Sequence, residues 1–250
     1  MTLLLSIYIF IVGLMLGSFY NVVALRVPEG QSIVHPPSQC PNCHHRLRAR
    51  DLVPVFSYIW SRGRCRHCKS PISAQYPLVE LATGLLFLWA FLRFGFTNAT
   101  IAGFVLVSLG VIVTVTDLKF MRIPNKVLLA FLPVLLVITL VFPWQGVWSS
   151  LLGAATGFGI TFIIAVLTKG MGMGDVKLFA LLGWMIGFPN VLLAFLIACA
   201  LGSLVGGILI AAGKVTRKQP IPFAPWLAAG AWMAFVYGEQ IIGGYLSLIS

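Results

Sequence analysis

Asp175 closes the string Gly172-Met173-Gly174-Asp175, runs on into Val176-Lys177, and lies between two long apolar stretches. A second aspartate, Asp117, ends another apolar stretch and opens Asp117-Leu118-Lys119-Phe120-Met121-Arg122-Ile123-Pro124-Asn125. The 250-residue chain has only six acids: Glu29, Asp51, Glu80, Asp117, Asp175 and Glu239. Two of them stand at the ends of hydrophobic spans, where an ionised carboxylate is costly and marks function. Two carboxylates brought together share a proton and activate water, which is the chemistry of aspartyl peptide hydrolysis. Each residue also has a plainer reading. Asp175 precedes Val176-Lys177-Leu178-Phe179 and is of a type favoured as a helix N-cap, with Gly170, Gly172 and Gly174 as loop. Asp117 reads equally as an end-of-helix acid paired with Lys119 or Arg122.

The elements that must position these residues are membrane spans. Apolar side chains make up 59% of the chain and charged ones 9%, with a mean hydropathy of +0.98. A soluble domain of this length cannot hide so much apolar surface, so the fold class is an all-α polytopic membrane protein. The net charge of +11 does not indicate nucleic acid, because the basic residues cluster in loops between apolar spans. Residues 3–25 read as a first transmembrane helix and not as a cleaved signal peptide: no basic n-region precedes them and no small-x-small site follows. Seven further spans fall at 78–95, 99–116, 127–142, 148–168, 176–188, 190–212 and 225–248. With segment 26–77 placed inside, the inner loops hold 16 of the 17 Lys and Arg residues, and only Arg93 falls near the outer face. The positive-inside rule then puts both termini outside and Asp117 and Asp175 together on the cytoplasmic side. The expected organisation is a first helix (1–25), a cytoplasmic segment (26–77) and a seven-helix membrane domain (78–250).

The cytoplasmic segment contains Cys40-Pro41-Asn42-Cys43 and Cys65-Arg66-His67-Cys68, with 21 residues between the pairs. Two such knuckles present four thiolates to one tetrahedral zinc. Disulfides are disfavoured in a reducing cytoplasm, and a redox motif would need a βαβ setting that is absent here. About fifty residues with few large apolar side chains build little core, so a structural zinc would supply folding energy directly. His44, His45 and His67 read as surface residues and Cys199 as packing. Arg46, Arg48, Arg50, Arg62, Arg64 and Arg66 give the segment a basic face, suited to anionic lipid headgroups or to an acidic substrate.

Span lengths favour a site over two isolated caps. At 1.5 Å per residue, 176–188 reaches only about 20 Å against roughly 30 Å of hydrocarbon. Each aspartate lies on the cytoplasmic approach to a short span, where non-helical backbone is tolerated if it lines a watery cavity. Gly172 and Gly174 would let backbone approach a substrate closely.

At this point the residues resemble a known family. Gly17-Ser18-Phe19-Tyr20-Asn21-Val22-Val23-Ala24-Leu25-Arg26-Val27-Pro28, the two cysteine pairs, Tyr76-Pro77-Leu78-Val79-Glu80, Asp117 with Ile123-Pro124, and Gly172-x-Gly174-Asp175-x-Lys177 occur in order. Together they resemble the type IV prepilin leader peptidases, membrane aspartyl proteases of the GxGD class. That family often has an acid after the Ile-Pro pair; here Asn125 stands there, which leaves Asp117 as the only acid of its segment. The Phe223-Ala224-Pro225 segment and the compact loops are most similar to the competence-type members of Gram-positive bacteria.

The resemblance implies a bifunctional enzyme of the bacterial cytoplasmic (inner) membrane. It would cleave the basic leader of prepilins or pseudopilins after a glycine, then N-methylate the exposed residue with S-adenosylmethionine. Asp117 and Asp175 would be the catalytic pair, one ionised and one protonated, titrating as a unit. Glu80 would orient the substrate amine, although helix electrostatics explains an acid there equally well. Gly172, Gly174 and Lys177 would serve substrate binding, the glycines by close backbone approach and Lys177 by stabilising negative charge, with a snorkelling anchor as its plainer reading. No glycine motif of the Rossmann kind is present for the cofactor. Rival readings are an ion-coupled membrane transporter using Asp117 and Asp175, and a zinc-domain scaffold without catalysis. None of these features fixes an oligomeric state.

Overall fold

Long runs of Leu, Ile, Val, Phe and Ala broken by Pro, Gly and polar residues fold as helices, because only helices satisfy their own backbone inside a bilayer. A computed structural model describes residues 2–168, 170–216, 219 and 221–249. Among the inner-loop bases, Lys169, Arg217 and Lys218 lie outside the described residues. The helices are α1 (Thr2–Arg26), α2 (Phe56–Trp60), α3 (Gln75–Phe94), α4 (Asn98–Phe120), α5 (Asn125–Val141), α6 (Val147–Thr168), α7 (Met173–Ile186), α8 (Asn190–Ala211) and α9 (Ala224–Ile249). The described residues form no strand, only two isolated bridges. Five helices, α1, α3, α4, α6 and α8, are long and apolar enough to cross a membrane. α5 is apolar but shorter, and α9 carries Glu239 and Gln240 in its second half.

The chain forms two compact units, Met1–Phe96 and Thr97–Ser250. In the first, α1 and α3 pack antiparallel along small residues. A Cβ on Gly13 would meet the Gly84 Cα at 2.8 Å, and one on Gly17 would meet the Glu80 Cα at 2.8 Å. Such stripes let helices approach closely where no hydrophobic drive acts between them. Further along the pair, buried Asn21 donates from Nδ2 to the Tyr76 carbonyl at 3.2 Å. Segment 27–74 leaves α1 and returns to α3 at the same end of this pair.

In the second unit α4 is the most enclosed long helix, with Leu106, Leu109, Val113 and Thr116 buried. Its neighbours are α9, α5 and α7. α6 and α7 touch through glycines, since a Cβ on Gly153 would strike the Gly183 carbonyl. α7 is short, 14 residues, or about 21 Å. Its end is capped by side chains of the α5–α6 loop: Trp144 Nε1 donates to the Met185 carbonyl at 3.0 Å, and Gln145 Nε2 to the Trp184 carbonyl at 3.0 Å. These bonds satisfy carbonyls that a helix end leaves open.

Candidate functional site

α4 runs further than its hydropathy suggests, so Asp117 sits inside its last turn and not beyond it. The helix closes on Met121, held left-handed (φ 51°, ψ 39°), whose N–H donates to the Asp117 carbonyl at 2.8 Å. The Asp117 side chain is only 6% exposed. Its Oδ2 accepts the backbone N–H of Ala224, the first residue of α9, at 3.0 Å. Pairing with Lys119 or Arg122 is therefore not what holds it; both of those side chains are exposed.

α7 starts earlier than its hydropathy suggests. Gly172 is the N-cap (φ −73°, ψ 146°), and Asp175 is the third residue of the helix. Asp175 is thus not the N-cap, although its carboxylate reaches back over that cap. Its Oδ2 lies 3.2 Å from the position a Gly172 Cβ would take, so a side chain there would crowd the carboxylate. Its Oδ1 is buried without a hydrogen-bond partner. Asp117 and Asp175 are near enough for their charges to interact.

Two contacts dock the segments that bear them. Gly174 packs on Ile123, with 3.1 Å from its Cβ position to Ile123 Cβ. Lys177 Nζ donates to Asn125 Oδ1 at 3.1 Å. The glycine-rich start of α7 thereby rests on the Ile-Pro-Asn turn that follows Asp117. A buried acid on one helix end, a second acid on the next and a loop without side-chain bulk suit water activation beside an extended peptide. The Ala224 N–H is the member that side-chain reasoning missed. Pro225, a residue type favoured at helix starts, was its only sequence signal.

In the other unit the two cysteine pairs fold as matching knuckles. Cys40 N–H donates to the His45 carbonyl at 3.0 Å, and Cys65 N–H to the Ser70 carbonyl at 2.8 Å. Each knuckle turns on a left-handed residue after its second cysteine, His44 (φ 54°) and Lys69 (φ 60°). Antiparallel bridges Gln39–Arg46 and Arg64–Pro71 flank them. The four sulfurs lie within 4.8 Å of one another. Cys40 and Cys68 are 3.8 Å apart and Cys43 and Cys65 4.0 Å. A tetrahedron with zinc–sulfur bonds of 2.3 Å has edges of about 3.8 Å, so the cage fits that ion. The sulfurs compete for protons: the Ser70 hydroxyl and backbone N–H hold Cys68 down to about 5. At Cys43 the His45 N–H pulls downward, but burial and the neighbouring thiols push it up to about 11. His45 and His67 stack with ring centroids 3.5 Å apart, outside the four-sulfur cluster.

Glu80 is 8% exposed. Its Oε2 accepts the Val55 N–H at 2.7 Å. Val55 has φ 61° and ψ −51°, while the Phe56 N–H reaches the Pro54 carbonyl at 2.6 Å. That is a strained γ-turn centred on a β-branched residue. Glu80 therefore ties segment 27–74 to α3. The structure brings Asp117, Asp175, Gly172, Gly174 and Lys177 together in one unit and the four cysteines and Glu80 together in the other.

An all-helical membrane protein with two acids at docked helix ends and a four-thiol knuckle pair defines a class, that of membrane-embedded aspartyl peptidases with a cysteine segment. The comparisons agree. Residues 11–94 match the Bacterial Peptidase A24 N-terminal domain, and residues 104–207 match the Type IV leader peptidase family. The chain is 42% identical over 241 residues to a Prepilin leader peptidase/N-methyltransferase of Bacillus subtilis (strain 168), covering 96% of this chain and 97% of that one. A protein of the same name from Aeromonas hydrophila is 33% identical, covering 96% and 93%. One from Burkholderia pseudomallei (strain K96243) is 34% identical, covering 94% and 87%. The chain belongs to the type IV leader peptidase family. No solved structure matches it.

Proposed function

We propose that this protein processes type IV prepilins or pseudopilins at the cytoplasmic face of the bacterial membrane, cleaving the leader and then N-methylating the new terminus. Family membership supports both activities, since the relatives are named for them. The observation that supports the residues is the docking of two helix ends, with Gly174 on Ile123 and Lys177 on Asn125, together with the interaction of the Asp175 and Asp117 charges. The ion-coupled transporter reading finds no support in the family matches. In this reading all eight helices other than α2 lie in the bilayer, both termini are outside, and 26–77 is a zinc module on the cytoplasmic side.

In the cleavage step one carboxylate takes a proton from water as the oxygen attacks the scissile carbonyl, and the other gives a proton to the carbonyl oxygen. Gly172 and Gly174 leave room for the extended substrate, and Lys177 lies along its path. Cys40, Cys43, Cys65 and Cys68 hold one structural zinc; four thiolates fill the tetrahedron and leave no open position for catalysis. S-adenosylmethionine, when bound, supplies the methyl group. Glu80 orients the amine that accepts it.

The test is mass spectrometry of a prepilin incubated with purified protein and excess S-adenosylmethionine. The expected product lacks the leader and carries one additional methyl on its N-terminal nitrogen, with Glu80→Gln lowering methylation more than cleavage. A cleaved, unmethylated product would leave a peptidase only.

A further inference from the structure

The two carboxylates of the pair are held differently. Ala224 lies 107 residues from Asp117 in sequence, yet its N–H meets Asp117 Oδ2 at 3.0 Å inside the unit. As the first residue of α9, Ala224 has no intrahelical acceptor for this N–H, and the helix start carries partial positive charge. A backbone donor aimed at a carboxylate forms a charge-assisted bond, strongest to the ionised group, and fixes its rotamer. Asp175 is met only by N–H groups of its own turn, those of Gly172 and of Asp175 itself, and its Oδ1 is buried without a partner. The first turn of α9, Ala224-Pro225-Trp226-Leu227, brings no ionisable side chain. Lys126 at the start of α5 is exposed, and Lys177 of α7 is turned to Asn125.

Resting on the reading of Asp117 and Asp175 as the catalytic pair, we propose that the N-terminus of α9 is a positioning element of the peptidase site. The Ala224 N–H holds Asp117 as the carboxylate of the pair, which makes Asp117 the base and Asp175 the acid. Asp117 takes a proton from water while the water oxygen bonds to the scissile carbon, and Asp175 passes its proton to the carbonyl oxygen. The proton on Asp117 then goes to the departing nitrogen as the carbon–nitrogen bond breaks. Asp175 recovers its proton from a hydroxyl of the tetrahedral intermediate, leaving a carboxyl terminus and a free amine.

The test deletes one hydrogen-bond donor. Lactic acid placed at position 224 of the full chain by nonsense suppression keeps the methyl side chain and replaces the N–H with an ester oxygen. The expected result is kcat lower by about ten- to a hundredfold, the scale of a bond to a charged group, with KM unchanged. Wild-type kcat in the ester protein would overturn the positioning role. Infrared difference spectra give a second readout that survives a failure of the ester protein to fold. The protonated-carboxyl band should vanish in Asp175→Asn and persist in Asp117→Asn, and the reverse pattern would overturn the assignment. Full cleavage by both Asp→Asn proteins would instead sink the underlying dyad.

Discussion

Gly174 shows how much of this site is set by what a residue lacks. Its Cβ position lies 3.1 Å from Ile123 Cβ, so a bulky side chain crowds the glycine-rich turn against the segment that follows Asp117. Gly174→Val should insert normally yet cleave at least about a hundredfold more slowly, because a misplacement of about 1 Å at reacting groups costs that much; steady-state cleavage of a prepilin measures it. Glu80 makes a separate prediction. Glu80→Ala strips the acceptor from the Val55 N–H and lets the strained turn relax, at a cost of about 1–3 kcal/mol. Hydrogen exchange over residues 52–60 should rise sharply, whereas Glu80→Gln, which keeps an acceptor oxygen, should leave it low. The gathering of the four cysteines and the nearness of Asp117 to Asp175 were legible in the sequence, because residue types at those spacings and loop positions point to one another. The Ala224 N–H and the Val55 turn were not, because a backbone donor leaves no mark in residue type.

Helix ends, at the scale of elements, were harder to read than helix interiors. Hydropathy placed every long helix, but it ended one span before Asp117 and began another after Asp175. In the structure α4 includes Asp117 and α7 starts at Met173. Polar residues continue a helix when another element satisfies them, and hydropathy cannot see that partner. The length of α7 has the same origin: Trp144 and Gln145 cap it from outside, which allows a short helix to stop cleanly at Gly187. Glycines decide how closely α6 approaches α7. Gly153→Val would drive a side chain into the Gly183 carbonyl. Overpacking of this kind costs about 1–3 kcal/mol. The purified variant should lose thermal stability in detergent and lose activity with it, since α7 bears Asp175.

At the scale of the whole molecule the chain divides its labour between a cysteine-bearing unit and a unit that bears both aspartates. In the proposed reading, segment 27–74 of the first unit relies on metal in place of a core. Purified protein should contain about one zinc per chain, the stoichiometry of a four-thiolate tetrahedron, by elemental analysis. Cys40→Ser or chelation should expose segment 27–74 to proteases while the membrane helices stay intact, because metal binding energy is the folding energy of so small a segment. The general plan of spans, knuckles and acids was readable from composition and order. The boundary of the two units was not, because the packing of α3 on α1 depends on Gly13, Gly17 and Gly84 meeting across the pair. The claim on which the account rests is that Asp117 and Asp175 perform one cleavage together. The most direct measurement incubates a prepilin with purified wild type, Asp117→Asn and Asp175→Asn, each shown to be folded and zinc-loaded. Wild type should process the substrate completely, and neither variant above background. Normal processing by a well-folded Asp175→Asn protein would overturn the shared cleavage.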